Sequence, residues 1–405
     1  MNTAEGQTTT AYPPESSPLE TGTIALFVIA IAGLSLVIQN VTHVRQAILF
    51  LIGVGFGVCL LHAMFGFTGG WRMFIRTRNS AGVRAQVYLL ALTSMLFFPI
   101  LGGVFEETRA AGAVAPVGYS VLVGAFLFGI GMQLGGGCGS GTLFTMGQGQ
   151  VDMLLTLLFF IVGATIGSSH LDWWHQLGDV GSISLINDYG WLPALLMTLI
   201  LLLILYFLVV FLDRRKNQQL KPVFTPVPRS QIVNTLLFGK WPLWWAVIGI
   251  AIFNLLTLVT AGHPWSITFA FSLWGTKFWS AIGGDISSWA YWQAPYPAQA
   301  LNSSVLMDNT SVMDFGLILG AGLAAALAGR FAPVTKMTGS KWFAVIVGGL
   351  LLGYGARLAF GCNIGALLAG ISSGSVHGWL WLVSAFVGNI VGTRLRVVIG
   401  LDKPY

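Results

Sequence analysis

Two cysteines, Cys138 and Cys362, each lie in a glycine-rich break between apolar stretches, in LGGGCGSGT and AFGCNIGA. Glycine permits left-handed backbone conformations and lets backbone amides approach a ligand closely. The N-terminus of a half-helix that follows such a break adds a partial positive charge suited to an anion. Together with a thiol, a weak S–H donor, each break therefore predicts a small-ligand site. The alternative is that the glycines only allow helices to pack closely.

The two breaks belong to an internal repeat, in which residues 124–167 match 348–392 with one inserted residue. At an offset of 224, five glycines, a leucine and Cys138 fall on the same residue types, and at 225 a valine and two further glycines do so. Such a register of glycines and a cysteine indicates a duplicated unit of helix, break and helix. We place the repeat units at 113–168 and 343–396. The predicted binding residues are Gln133, Gly136, Gly137, Cys138, Gly139, Arg357, Gly361, Cys362, Asn363 and Cys59.

Two of these residues have competing interpretations. Arg357 lies in an apolar run, where an arginine is a functional candidate because leaving it unpaired is costly, but it could instead cap carbonyls of a neighbouring helix. Its counterpart in the first repeat is Gln133. Cys59 has no counterpart, and a free cysteine is commonly a small buried hydrophobic residue.

The composition defines the elements that must position these residues. Of the 405 residues only 8% are charged, 55% are hydrophobic, and the mean hydropathy is +0.78. This excludes a soluble domain and predicts an all-α polytopic membrane protein with nine to eleven transmembrane helices. Residues 1–22 are predicted to be a disordered tail and 23–405 a single transmembrane domain. The eleven apolar segments are 23–39, 47–68, 85–104, 113–132, 151–168, 191–211, 243–260, 265–283, 314–332, 343–360 and 379–393.

Orientation is predicted from the basic residues. Sixteen of the 20 Lys and Arg residues lie in four linkers, around 72–84, 214–240, 330–341 and 394–403. The positive-inside rule then places all four linkers, including 213–242, and the C-terminus in the cytoplasm. This requires the segment 265–283, which contains Lys277, to be re-entrant or interfacial. The helices before Cys138 and Cys362 then run in opposite directions, so the repeats are inverted, with the site near the midplane.

The two cysteine loops resemble those of the YeeE/YedE family of inner-membrane transporters of sulfur compounds, notably thiosulfate. The segment GFGVCLLHAMFGFTGGWR at 55–72 is similar to the family's third motif, and similarity extends over about 45–396. Where that motif usually has a cysteine, this sequence has Gly66. The resemblance therefore implies roles for Cys138 and Cys362, and Cys59 lies too far along a helix to replace the missing thiol simply.

What the resemblance implies is an inner-membrane permease that imports thiosulfate or a related sulfur anion between two neutral thiols. One alternative is a sulfurtransferase component that passes persulfide sulfur to a cytoplasmic sulfur-carrier protein, which reactive cysteines would favour. Another is a transporter of a selenium compound. The expected partners are a small sulfur anion, membrane lipid and, in that alternative, the carrier protein; no nucleic acid is expected. No motif for a cofactor, a metal site or an enzyme is evident.

Overall fold

The computed structural model describes residues 21–403 except 106, 108, 332 and 334–336. Ten helical segments in this part of the chain are long and apolar enough to cross a membrane. The chain is therefore an all-α polytopic membrane protein, as the composition predicts. Residues 1–20 of the predicted tail and Lys336 of the third basic linker lie outside the described residues, whereas Thr21 and Gly22 already belong to the first helix.

Long helices are joined by shorter helices and by short strands along the chain. In chain order, the elements are α1 (Thr21–Val41), α2 (Val44–Ala63), α3 (Phe67–Thr77), α4 (Ala81–Leu101), β1 (Pro116–Gly118), α5 (Tyr119–Gly135), α6 (Gly139–Gly147), α7 (Val151–Gln176), β2 (Asp179–Ser182), α8 (Leu185–Tyr189), α9 (Trp191–Arg214), α10 (Ile232–Phe238), α11 (Leu243–Ala261), α12 (Thr268–Ala281), α13 (Ala290–Gln293), α14 (Pro295–Asn302), α15 (Asn309–Leu327), α16 (Gly339–Leu358), a π-helix (Asn363–Leu368), α17 (Ala369–Ser372) and α18 (His377–Val398). Short 3₁₀ turns occupy Arg229–Gln231 and Val305–Met307.

Glycines have two different structural effects in this fold. Helix α2 runs unbroken through Gly53 and Gly57, because these residues pack against the backbone of α15 and a side chain there would strike the carbonyls of Met313 and Leu317. Such contacts let two helices approach closely. The span that contains α2 instead breaks after it, at 64–66, and the other two broken spans are those of the repeats.

The repeat helices form a group with a definite set of directions. Gly124 faces Leu358 and Gly135 faces Gly348, so α5 and α16 run antiparallel. Contacts of the same kind show that α18 runs parallel to α5 and that α7 runs parallel to α16. The set of helix directions is therefore the same when α5 and α7 of the first repeat unit are interchanged with α16 and α18 of the second.

The bundle has two distinct ends. At one, which we call the ribbon face, β1 pairs antiparallel with β2. At the other, the basic face, the basic linkers meet: Arg84 donates to the carbonyl of Lys221, and Arg76 forms a 2.9 Å ion pair with Asp402. Helix α15 runs parallel to α2, whose His62 bonds the Gly239 carbonyl in the second linker, so the third linker begins at this same end. Residues from all four linkers predicted to share one side of the membrane thus lie at one end of the molecule.

The segment 265–283 forms only the 14-residue helix α12, which is not among the ten candidate spans. Both ends of the segment 262–281 lie toward the ribbon face. The carbonyl of Gly262 accepts a 2.8 Å hydrogen bond from the amide of Ala111, just before β1. Lys277 Nζ donates to the carbonyls of Leu301 and Ser303 at 2.5 and 2.6 Å. Beyond α12, the amide of Ala290 donates to the Asp172 carboxylate near the C-terminal end of α7, which leads into β2. The chain therefore enters and leaves the bundle on the same side here.

Candidate functional site

The first break separates α5 from α6. Helix α5 ends because Gly136 takes a left-handed conformation at φ +84°, and its amide bonds back to the carbonyl of Met132. Cys138 follows in an extended conformation and caps α6, where its carbonyl accepts a 2.9 Å hydrogen bond from the amide of Thr142. A side chain at Gly137 would strike that same turn. The run of glycines thus stops one helix and starts the next with a cysteine at its N-terminus.

The second break has the same construction. After α16, Phe360 and Gly361 take positive φ angles of +59° and +147°, and Cys362 then caps the π-helix. The backbone angles of Cys362 (φ −99°, ψ −165°) nearly repeat those of Cys138 (φ −93°, ψ −165°). Its Sγ accepts a 3.4 Å hydrogen bond from the amide of Ile364.

The two breaks face each other. A Cβ added to Gly139 would lie 3.0 Å from Cys362 Sγ, so the start of α6 is seated directly on the second thiol. Both cysteines are 0% exposed, and Cys138 and Cys362 lie near each other. The structure thus brings together Cys138, Gly139 and Cys362 from distant parts of the chain.

The helices that start at the two breaks run in opposite directions. Helix α6 leads to the basic face, where Gln148 bonds the carbonyl of Arg330. The π-helix and α17 lead to the ribbon face, where Gly374 packs against Ile186. Two helix N-termini, each with a partial positive charge, therefore point toward the same buried spot, which suits an anion.

A third element, which sequence analysis did not identify, closes the site. Residues 265–267 of the re-entrant segment pack on both breaks, with Ile267 against Gly139 and Ser266 against Gly365. Trp265 stacks on Phe56 with 3.7 Å between ring centroids. The only sequence signal for this contact was Lys277, because its charge required the segment to re-enter instead of crossing.

Several polar groups around the breaks are buried without partners. Neither the oxygen nor the nitrogen of the Asn363 amide has a hydrogen-bond partner among the described residues, and the same is true of Trp265 Nε1 and of both carboxyl oxygens of Asp314. Asn363 and Asp314 are 0% exposed, and Asp314 lies near Cys362. Native proteins rarely leave such groups unpaired, so the Asn363 amide and Trp265 Nε1 are candidate partners of a polar ligand.

Gln133 is engaged in a network toward the basic face. Its Oε1 accepts a 2.7 Å hydrogen bond from Arg72 Nε, and its Nε2 donates to Asn389 Oδ1 at 2.5 Å. Its backbone carbonyl accepts a 2.6 Å bond from Arg396, whose guanidinium also binds Asp402. Burial alone would raise the pKa of the Asp402 carboxyl, but hydrogen bonds from Arg396 and the positive charges around it outweigh burial and hold this pKa below its usual range.

The structure does not bring Arg357 together with its repeat counterpart, Gln133. The Arg357 guanidinium lies 3.6 Å from the centroid of the Tyr291 ring, and its Cβ packs against Gly167. Because α5 and α16 are antiparallel, Arg357 lies toward the ribbon face and Gln133 toward the basic face. Arg357 therefore lies on the ribbon-face side of the breaks.

Cys59 lies in the middle of the α2–α11 contact. A Cβ on Gly249 of α11 would be 2.7 Å from Cys59 Sγ, and the thiol is buried. Gly66, at the position of the cysteine that is missing from the third motif, has an extended backbone, and a Cβ there would meet no described atom within 4 Å. Within the described residues, no group of three or more His, Cys, Asp or Glu residues could hold a metal ion.

A polytopic helical protein with buried polar groups at paired helix breaks has the architecture of a membrane transporter. The chain matches the family model described as Sulphur transport over residues 62–391 and belongs to this family. The resemblance to YeeE/YedE proteins is thereby confirmed. Because the family and the relatives are named as transporters, the chain is a transporter of this family and not an enzyme.

Two of the relatives cover most of the chain. The thiosulfate transporter TsuA of Spirochaeta thermophila is 26% identical over 361 residues, which are 84% of this chain and 95% of that protein. The thiosulfate transporter TsuA of Escherichia coli is 24% identical over 83% of this chain and 90% of its own length. The probable transporter YedE of Escherichia coli is 27% identical over 169 residues, 42% of this chain and 41% of that protein.

Proposed function

We propose that this chain is an inner-membrane permease that imports thiosulfate or a related sulfur anion, bound at the constriction between Cys138 and Cys362. The observation that supports this most directly is the apposition of the two cysteine-bearing breaks. Relatives that align with 95% and 90% of their own length are named as thiosulfate transporters.

The chemistry of the site suits such an anion. Thiosulfate has an oxyanion end and a polarizable terminal sulfur. Backbone amides at the starts of α6 and the π-helix would bind the oxygens, and the amide of Asn363 would supply a further donor. Neutral S–H groups would approach the terminal sulfur, whereas a thiolate would repel a dianion. Moderate binding is expected, because the substrate must also leave.

The proposed route passes the substrate from one thiol to the other. The antiparallel pairing of α5 and α16 supports an inverted arrangement of the repeat units within one transmembrane domain, in which each thiol serves one side of the constriction. On this proposal the substrate reaches Cys362 from the ribbon face and leaves past Cys138 toward the basic face. Two alternative predictions remain. The chain could pass persulfide sulfur to a cytoplasmic carrier protein, or it could transport a selenium compound.

Uptake of radiolabelled thiosulfate tests the proposal in a host that lacks its own sulfate and thiosulfate importers. Cys138→Ala and Cys362→Ala should each reduce uptake by roughly 5- to 150-fold, because a lost positioned hydrogen bond costs ~1 to 3 kcal/mol. Cys59→Ala, the matched control, should keep most transport. Near-normal uptake by the double Cys138→Ala, Cys362→Ala variant would contradict the thiol mechanism, and a persulfide on either cysteine would favour the sulfurtransferase alternative.

We further propose that the basic face is cytoplasmic, because all four basic linkers meet there. Cysteines introduced at the exposed positions Ser230 and Ser288 test this, since the native thiols are buried. An impermeant thiol reagent should label Ser288→Cys, and not Ser230→Cys, in intact cells. Labelling of Ser230→Cys from outside would reverse the orientation.

A further inference from the structure

Asp314 is a carboxyl group buried inside the bundle without a partner. It is 0% exposed, and neither oxygen forms a hydrogen bond with any described residue. Intramembrane acids of this kind are rare because an unpaired carboxylate is costly in such a place, and they are typical of proton pathways. The surroundings therefore accept the neutral acid more readily than the charged carboxylate.

The position of Asp314 connects it to the candidate site. It lies near Cys362. Helix α6, whose first residue contacts Cys362 Sγ, also packs on α15, where Gly147 meets Ile318 one turn after Asp314. An anion between the breaks would thus be bound near this carboxyl group.

The charged and titratable groups on the elements that pack against α15 do not neutralise Asp314. Helices α1, α6 and α10 carry no titratable side chain. Three basic side chains bind backbone carbonyls elsewhere: Arg45 that of Ala261, His62 that of Gly239, and Lys277 those of Leu301 and Ser303. The Asp308 carboxylate accepts a hydrogen bond from Ser311. The remaining groups are thiols: Cys59 lies against Gly249, and Cys362 caps the π-helix.

We propose that Asp314 carries a proton together with the anion, so that the chain works as a proton-coupled symporter. This rests on the proposed function. A dianion beside a charged Asp314 would bring three negative charges together at a buried site, whereas a protonated Asp314 would not repel the dianion. Anion and proton therefore favour each other's binding, and by linkage each raises the other's affinity by the same factor. Release of one then promotes release of the other.

Proteoliposomes that contain the full chain test this with two assays on one preparation. The first is exchange of labelled for unlabelled thiosulfate at equal pH, which needs no net proton movement. The second is net accumulation driven by an outside pH one unit lower, with the membrane potential clamped at zero. One proton per anion predicts about tenfold accumulation at equilibrium per pH unit.

Asp314→Asn keeps the shape of the side chain but cannot gain or lose a proton. We expect it to retain exchange and to lose accumulation driven by the pH gradient. Asp308→Asn is the matched control, because Asp308 is also buried but accepts hydrogen bonds from Ser311, and asparagine caps a helix equally well. This control should accumulate thiosulfate like the wild type.

The outcomes separate the two proposals. If the wild type exchanges thiosulfate but does not accumulate it in response to the pH gradient, proton coupling is overturned and thiosulfate transport still stands. Full accumulation by Asp314→Asn would have the same consequence. Absence of wild-type exchange would overturn both. If Asp314→Asn does not fold, the wild type alone decides: an inward thiosulfate gradient should acidify the lumen, followed with a trapped pH dye, and a lumen that stays at constant pH would overturn the coupling.

Discussion

Arg72 Nε donates a 2.7 Å hydrogen bond to the side-chain oxygen of Gln133, five residues before Cys138. Through Asn389, the same glutamine is tied to α18. Gln133 thus joins α3, α5 and α18 below the first cysteine break, on the side of the basic face. This connection gives the glutamine a positioning role, in addition to the binding role predicted from its place in the repeat.

Replacing Gln133 should destabilise the protein. Gln133→Leu would remove the partner of Arg72 Nε and of Asn389 Oδ1, at a cost of ~1 to 3 kcal/mol for each unpaired polar group. We expect a lower thermal unfolding temperature for the detergent-purified protein. The matched control is Gln148→Leu, because Gln148 is also buried but makes one long bond, 3.4 Å to the Arg330 carbonyl. Equal losses for both variants would contradict the special role of Gln133.

Adding one methyl group at Gly139 should impair transport without impairing folding. Alanine is favoured over glycine in a helix, but its Cβ would lie 3.0 Å from Cys362 Sγ and would narrow the space between the breaks. Because the methyl group would occupy space proposed for the anion and displace one of its hydrogen bonds, at ~1 to 3 kcal/mol, we expect roughly 5- to 150-fold slower uptake at normal membrane abundance. Gly69→Ala, where no described atom lies within 4 Å, is the control and should transport normally.

The third motif of the family can be restored at Gly66. The backbone there is extended at φ −119° and ψ 132°, and a Cβ meets open space, so Gly66→Cys should fold and transport at least as well as the wild type. Gly57→Cys is the contrast, because its side chain would strike the Leu317 carbonyl and should reduce the amount of folded protein. Membrane abundance of the two variants provides the measurement. A Gly66→Cys variant as poorly folded as Gly57→Cys would contradict the open space at this position.

The cysteine loops could be predicted from the sequence, because glycines and a cysteine repeat in register in both loops. Apolar composition alone would not preserve such a register in a membrane protein. The contribution of Trp265 and Asp314 could not. Trp265 reaches the site only through a re-entrant turn, which hydropathy does not distinguish from a short span. Asp314 stood at the edge of the predicted segment 314–332, whereas α15 begins five residues earlier, at Asn309, and carries the acid into the bundle.

The same limit applies to glycines. Gly53 and Gly57 lie in a glycine-rich apolar segment, but they face the backbone of α15 and allow α2 to continue past it. Gly136 and Gly361 have positive φ angles, which only the conformation reveals. Composition identifies where glycines are concentrated, and tertiary packing decides whether they break a helix or join two.

Arg357 provides the last test, because its position on the ribbon-face side of the breaks is compatible with guiding an anion inward. Its guanidinium stacks over Tyr291, and its Nε has no hydrogen-bond partner among the described residues. If its charge attracts the dianion, Arg357→Lys should keep part of the transport, although the planar group that stacks on the ring is lost. Arg357→Gln should lose far more, mainly as a raised half-saturation concentration that depends less on salt.

Tyr291→Leu separates guidance from packing. It removes the aromatic face beneath the guanidinium but keeps the charge, so we expect a half-saturation concentration close to that of the wild type. Uptake kinetics normalised to the amount of membrane protein provide the measurement. If Arg357 only ties α16 to the connection at 290–293, Arg357→Gln and Tyr291→Leu should lower protein abundance alike, and the remaining protein should transport with unchanged affinity. An unchanged half-saturation concentration for Arg357→Gln would therefore remove this arginine from the substrate route.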